Sequence, residues 1–345
     1  ITFDDSVFYN GITGSGVRER SGFIARIDSS SNVVWANYFG GTETEEIIDI
    51  IIDQNNDIVV LFNTNSNTIY FNDGNQINTS NQDVVLSKYN SAGQRLWSSN
   101  IGNNINKKGY SLTSDESDNI YITGYYTGNN SLMLCKFNSN GTSLWLNTYG
   151  STNSGAIQGK SIVYHDGILT VTGNFPGTLS LGGFTFNNSS ISDVFVCTFD
   201  TSGVISNVNA FHNNTSMEAF DIDIIGDDYY LVGRHHDDIY FSNDTLYSQA
   251  YQSGFVMCID NNLVHKWSRT IYSAGNDAVN VYKIVTNNDN EVFITGGINN
   301  SDSLMIDTIS LFASDGIDGF LIKLDKDGNF YFANQIGGSG TNGTE

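Results

Sequence analysis

Proline occurs once in 345 residues, at Pro176, and cysteine three times. Three cysteines cannot build a disulfide framework. Basic residues are scarce as well: 15 Lys and Arg stand against 37 Asp and Glu, for a formal net charge of −22. Such a surface repels phosphate backbones and anionic headgroups, so neither nucleic acid nor a membrane is an expected partner. No segment approaches the roughly 18 consecutive apolar residues of a membrane helix. The richest stretch, Ile47-Ile48 and Ile50-Ile51-Ile52, is broken by Asp49. Residues that favour helix, such as Ala, Leu, Glu and Lys, are sparse. Also missing are a Gly-x-Ser-x-Gly elbow, a His-Glu-x-x-His pair and a glycine-rich phosphate loop. The first residues, Ile1-Thr2-Phe3-Asp4-Asp5, lack the basic region and apolar core of a signal peptide.

What is abundant suits strands and turns: 35 Gly, 18 Tyr and 21 Phe, among many Ile, Thr and Asn. One pattern recurs. An apolar strand ends in Asp or Asn, a polar turn follows, and a second strand carries an aromatic residue. It starts at Gly22, Val84, Leu132, Val194, Gly254 and Gly319, and the aromatic position lies 13 residues later each time. Trp35, Trp97, Trp145 and Trp267 occupy that position, Asn207 and Phe332 replace Trp in two copies, and the chain has no other tryptophan.

A second hairpin alternates with the first, as in Ile50–Asp53 turning into Asp57–Leu61, and again around Asn119–Gly124 and Val292–Gly296. The unit is therefore four strands, termed A, B, C and D. Successive C strands are spaced by 62, 48, 62, 60 and 65 residues. The 48-residue spacing lacks an insert that the other repeats carry between B and C, such as Ile69–Asp73 or Ile239–Asn243. Without it the unit matches the roughly 40–50 residues of a four-stranded propeller blade. The expected fold is all-β: a single β-propeller domain over residues 1–345 with six recognisable repeats, in six or seven blades. It is expected to begin mid-blade, because Ile1–Asp5 reads as an insert and Gly337–Glu345 as an approach to strand A, and so to be part of a longer chain. A β-sandwich array is the structural rival.

The stretches Gly22–Asp28, Trp35–Gly41 and Asn119–Gly124 resemble the β-propeller repeat (SBBP) family of secreted and surface proteins. The resemblance covers about residues 20–340 and departs at Asn207, Phe332 and Phe62. It implies a scaffold of blades and an extracellular or cell-surface setting, with a virion surface as the alternative.

The shared placement of the tryptophans points to packing between blades more than to sugar stacking. Cys135 and Cys197 share one repeat position and Cys258 lies one residue further along, so all three are expected to be unpaired. His235-His236-Asp237-Asp238 is the only dense run of metal-type ligands, although neighbours on a strand point to opposite faces. Asp325 and Asp327 begin a sequence like a calcium loop, but position twelve is Ile336, and a C–D turn explains them equally. Calcium at Asp221, Asp223, Asp227 and Asp228 is a further option. No other cofactor is expected.

The expected function is a non-catalytic surface or secreted module, for adhesion or structural interaction with protein or glycan partners, and not an enzyme. The B-to-C inserts, variable loops on a rigid scaffold, are expected to carry the recognition. Two alternatives stand beside this. One is a carbohydrate-binding or carbohydrate-active protein with its site at the central pore, which clustered aromatics and carboxylates from different blades would favour. The other is a virion or filament component.

Overall fold

The computed structural model describes residues 20–337 except 81, 103–105, 153–154, 188–190, 243, 276, 300–302, 307–308 and 313–316, together with two short paired strands, Thr2–Phe3 and Ser6–Val7. The readings made on Ile1, Asp4-Asp5, Asn243 and 338–345 lie outside those residues. Among the described residues every regular element is a strand. The chain divides into two compact units, Ile1–Thr148 and Tyr149–Glu345.

Five four-stranded antiparallel arrays follow one plan, with A, B, C and D side by side in chain order. Their A strands are Glu45–Ile52, Lys107–Ser114, Gln158–His165, Met217–Ile225 and Val279–Thr286. A sixth C–D hairpin, Gly22–Ile27 with Val33–Gly40, precedes them. In each unit the cores lie between successive sheets. In the first, Val59, Leu61, Val84 and Leu86 meet Leu112, Ile122, Met133 and Cys135 of the next sheet. In the second, Val194 and Val196 meet Met217, Leu231 and Met257, while Val232, Val256 and Cys258 meet Val281, Ile294 and Ile322. The central strands B and C are covered on both faces. That is why they read as continuous apolar runs: all seven residues of Asp83–Tyr89 are buried.

The C–D turns explain the recurring Asp or Asn. At Asp325 the main chain closes a type I turn, with Gly328 N donating to Asp325 O and Asp325 N to Asn329 O. Gly328 then takes φ +80° and restores the strand register. The Asp325 carboxylate accepts from Asp327 N at 2.9 Å and Asn329 N at 2.8 Å. Asp28, Asn90, Asn138, Asp200 and Asp260 repeat this arrangement.

Three of these turns receive a tryptophan from the sheet before them. The indole N–H of Trp35 donates to Ser91 O at 3.0 Å, that of Trp97 to Ser139 O at 3.2 Å, and that of Trp267 to Lys326 O at 3.2 Å. The rings lie on Gly93, Gly141 and Gly328, where a Cβ would come within 2.6–2.9 Å of the indole. Positive φ and ring contact together require glycine there. These three tryptophans therefore pack between sheets, as their spacing predicts.

The inserts differ from expectation. They are short hairpins, not loops. Thr68–Phe71 with Gln76–Asn78, and Ser303–Ile306 with Ile309–Phe312, pair through their first strands with the D strand of the preceding sheet: Phe39 opposite Phe71, and Ile271 opposite Ile306. Leu179–Leu181 pairs likewise with Ser151–Thr152. An outer strand has unpaired main-chain groups, and a hairpin carrying alternate buried residues satisfies them. These inserts are therefore paired hairpins and not the variable loops that the sequence suggests.

Candidate functional site

The metal-type residues are dispersed or already engaged. His235 ends its B strand completely buried, with Nδ1 2.8 Å from Asp237 O and its ring edge-on to Phe255. His236 turns to a different neighbourhood, with Nδ1 3.1 Å from Tyr251 O. Alternation along the strand separates the two rings, as the sequence suggests. Burial also lowers the pKa of His235, which favours the neutral ring. The Asp325 carboxylate serves its own turn, and Asp327 contributes the amide that it binds. Asp221 and Asp223 tie one sheet to the next, accepting from Ile284 N at 3.0 Å and Thr286 N at 2.6 Å. Asp228 pairs with Lys266 at 2.6 Å. Among the described residues no group of three or more His, Cys, Asp and Glu side chains is arranged to hold a metal ion.

A different set of residues comes together, and it is set by a defect repeated in every A strand. Pairing with strand B slips by one residue between Ile47 and Asp49, Gly109 and Ser111, Gly159 and Ser161, Ala219 and Asp221, and Val281 and Lys283. The skipped residues are Ile48, Tyr110, Lys160, Phe220 and Tyr282. A bulge leaves one residue unpaired and re-aims its side chain. The frame repeats, but the occupant changes from sheet to sheet.

An asparagine on the preceding B strand braces two of the bulges. Asn63 accepts from Gly109 N at 2.9 Å and donates to Gly109 O at 3.1 Å. Asn174 does the same to Ala219, at 2.9 and 3.3 Å. One sheet on, the equivalent residue is Arg234, and the brace is replaced by a charged cluster. Arg234 places Nη2 and Nε 2.8 and 3.1 Å from Glu218 Oε2, and lies 5.5 Å over the Phe220 ring. Its Nη1 is 3.4 Å from both Gln252 Oε1 and Asn280 Oδ1. The Phe220 and Tyr282 rings are 6.2 Å apart. Glu218 and Lys160 both line a cavity of about 230 Å³ with Asn174 and Phe175. The Arg234 and Glu218 side chains keep 32% and 27% of their surface in solvent, so the pair is open to a ligand.

Three successive sheets of the second unit thus supply a carboxylate, a guanidinium, an ammonium and two aromatic rings. None of these residues was singled out from sequence. The signal was nonetheless present as small–variable–polar triplets: Gly109-Tyr110-Ser111, Gly159-Lys160-Ser161 and Ala219-Phe220-Asp221.

No family model matches the chain, and no curated protein matches it in sequence. Solved structures do match. A protein of unknown function from Bacteroides caccae is 12% identical, with 94% of this chain and 92% of that one covered and a TM-score of 0.48. An exo-β-1,3-galactanase from Phanerochaete chrysosporium is 11% identical, with 93% and 98% covered and a TM-score of 0.36. The polysaccharide lyase Uly1 is 10% identical, with 94% of this chain and 65% of that one covered and a TM-score of 0.39. Against the expectations of a non-catalytic adhesion module and of a protein that is not an enzyme, these two neighbours are a galactanase and a polysaccharide lyase. At such identities the likeness is one of fold, and the function rests on this chain's own residues.

Proposed function

We propose that this chain is a carbohydrate-binding or carbohydrate-active protein whose site is formed by the bulges of its A strands. The observation that carries the reading is the Arg234–Glu218 pair lying against Phe220, itself beside Tyr282, at the repeat position where two other sheets hold a structural asparagine. Sugars present hydroxyls around their rims and C–H groups on their faces. The Arg–carboxylate pair, with two guanidinium nitrogens on the single oxygen Glu218 Oε2, offers donors and acceptors in fixed geometry to the first. Aromatic rings offer apolar faces to the second. Lys160, across the small cavity from Glu218, adds a further donor.

The finer architecture belongs to the same proposal. The repeats would be the blades of a propeller of the SBBP kind with A strands innermost, which the contacts between successive A strands within each unit support. Bulge residues would then face the central channel.

The test is a glycan panel of neutral and uronate-containing oligosaccharides, read both by binding and by release of new reducing ends. Phe220→Ala and Arg234→Met are each expected to weaken binding at least tenfold while the far-ultraviolet spectrum is kept. Glu218→Gln distinguishes the two forms of the proposal: loss of turnover with retained binding makes the chain an enzyme. Absence of binding and turnover across the panel, or full activity in both variants, overturns the reading.

A further inference from the structure

The aromatic position of the fourth copy shows a second, separate opening. Asn207 stands where Trp35, Trp97 and Trp267 stand, and it reaches the next turn one residue further along than they do: Nδ2 donates to Asn262 O at 3.2 Å, where the indoles meet the carbonyl directly after the turn's Asp or Asn. The turn it meets has also changed. Gly93, Gly141 and Gly328 are replaced by Leu263, which keeps the positive φ, at 64°. Leu263 is completely buried, in the core with Val194, Val196 and Phe255. It is the one large apolar residue at positive φ among the described residues, in a conformation that disfavours a side chain of that size. The indole and its glycine have therefore been exchanged as a pair. Asn207 and Asn262 line a cavity of about 460 Å³, within the range of roughly 300–1,000 Å³ found for small-ligand sites.

The lining defines the ligand. Asp166 and Asp227 come from the A–B turns of two neighbouring sheets, and Asn207 and Asn261 from the C–D hairpins of the same two. Tyr229 and Ile224 supply apolar surface beside them. Two carboxylates accept hydrogen bonds from hydroxyls and repel anions, while the amides can both donate and accept. Among the described residues no lysine or arginine lines the cavity, and its one histidine, His165, lies 3.7 Å from the Asp166 carboxylate.

We infer that this vacated indole slot is a binding site for one neutral pyranose unit, distinct from the Arg234–Glu218 site. Both sites lie in the second unit, and the slot is built from turns where the first is built from strand bulges.

Asn207→Trp/Leu263→Gly tests it by restoring the pair that three other repeats use. Measurements are made in the Arg234→Met background, so that the first site cannot supply the signal. The probes are neutral di- to tetrasaccharides of glucose, galactose and mannose, titrated by ligand-observed NMR. The parent is expected to bind at least one of them, and the restored variant to bind it at least tenfold more weakly while its far-ultraviolet spectrum is kept. Asp227→Asn, at an exposed position, provides a second readout, with at least threefold weaker binding and unchanged melting. Equal binding in the restored variant and Asp227→Asn overturns the inference. So does a parent that binds none of the probes, or that prefers a uronate-containing oligosaccharide.

Discussion

Replacing Lys107 by methionine should destabilise the first unit far more than replacing an exposed lysine. Lys107 Nζ lies 3.3 Å from Asp83 Oδ1, and the two side chains are 0% and 1% exposed. Asp83 also accepts from Val84 N at 2.8 Å and Asn100 Nδ2 at 3.1 Å. Methionine keeps most of the apolar stem and removes the charge, leaving the carboxylate buried among neutral donors. Breaking a buried pair from one side costs about 3–5 kcal/mol. The double substitution Lys107→Met/Asp83→Asn removes both charges and should recover about 2 kcal/mol or more of that loss. Lys266, paired with Asp228 at 44% and 26% side-chain exposure, serves as the control, with Lys266→Met costing about 1 kcal/mol or less. Urea unfolding followed by tryptophan fluorescence suits the purpose, because Trp35, Trp97 and Trp145 lie in the first unit. A Lys107→Met loss no larger than the control, or a double variant as unstable as the single, refutes the argument.

Gly141→Ala and Gly167→Ala both place alanine at positive φ, but only the first meets a ring, with its Cβ 2.6 Å from Trp97 against nothing within 4 Å. Gly167→Ala should cost about 1–2 kcal/mol, and Gly141→Ala a further 1–3 kcal/mol or so from overpacking; equal losses in urea would remove the Trp–Gly contact as a cause. His235 has its folded pKa held below 6.5 by burial, so the unfolded chain takes up a proton that the folded chain refuses. Stability should therefore fall as pH drops from about 7.5 to about 5.5, and His235→Asn should flatten that slope; an unchanged slope refutes it. Cys135, Cys197 and Cys258 are free and buried, and burial pushes the Cys258 thiol up to about 12. A thiol reagent should titrate three groups per chain under denaturing, non-reducing conditions and almost none in the native protein at about pH 8; a single thiol after denaturation would mean a disulfide.

The four-strand unit, its turns and its packing tryptophans were legible because each follows from local chemistry. Alternating and continuous apolar runs mark strands, Asp or Asn starts a turn, and a ring at fixed spacing fills the same gap each time. The inserts were misjudged. Stretches such as Ile69–Asn72 have strand character, but pairing with the D strand of the preceding sheet is a long-range property that sequence does not display. The Arg234–Glu218 cluster was hidden for a related reason. A one-residue slip between A and B decides which side chain leaves the sheet, and only paired coordinates show the slip. Asn207 was visible as a departure from the repeat. That it leaves an opening depends on Leu263 lying inward in the core.

Because the insert hairpins Thr68–Asn78 and Ser303–Phe312 complete the sheets before them, the repeat in the sequence and the unit that folds are out of phase there. The strand Ser303–Ile306 belongs to the last repeat by sequence but to the fourth sheet by hydrogen bonding. Excising residues 279–336 as one tidy repeat would therefore strip the edge of His265–Ser273 and leave a sticky strand on a fragment that looks complete. The repeat over 107–149 has no hairpin to lend, and Arg95–Asn100 before it ends its sheet without one. Domain trimming, permutation and repeat-number engineering in this chain should respect the hydrogen-bonded seams and not the periodicity of the text.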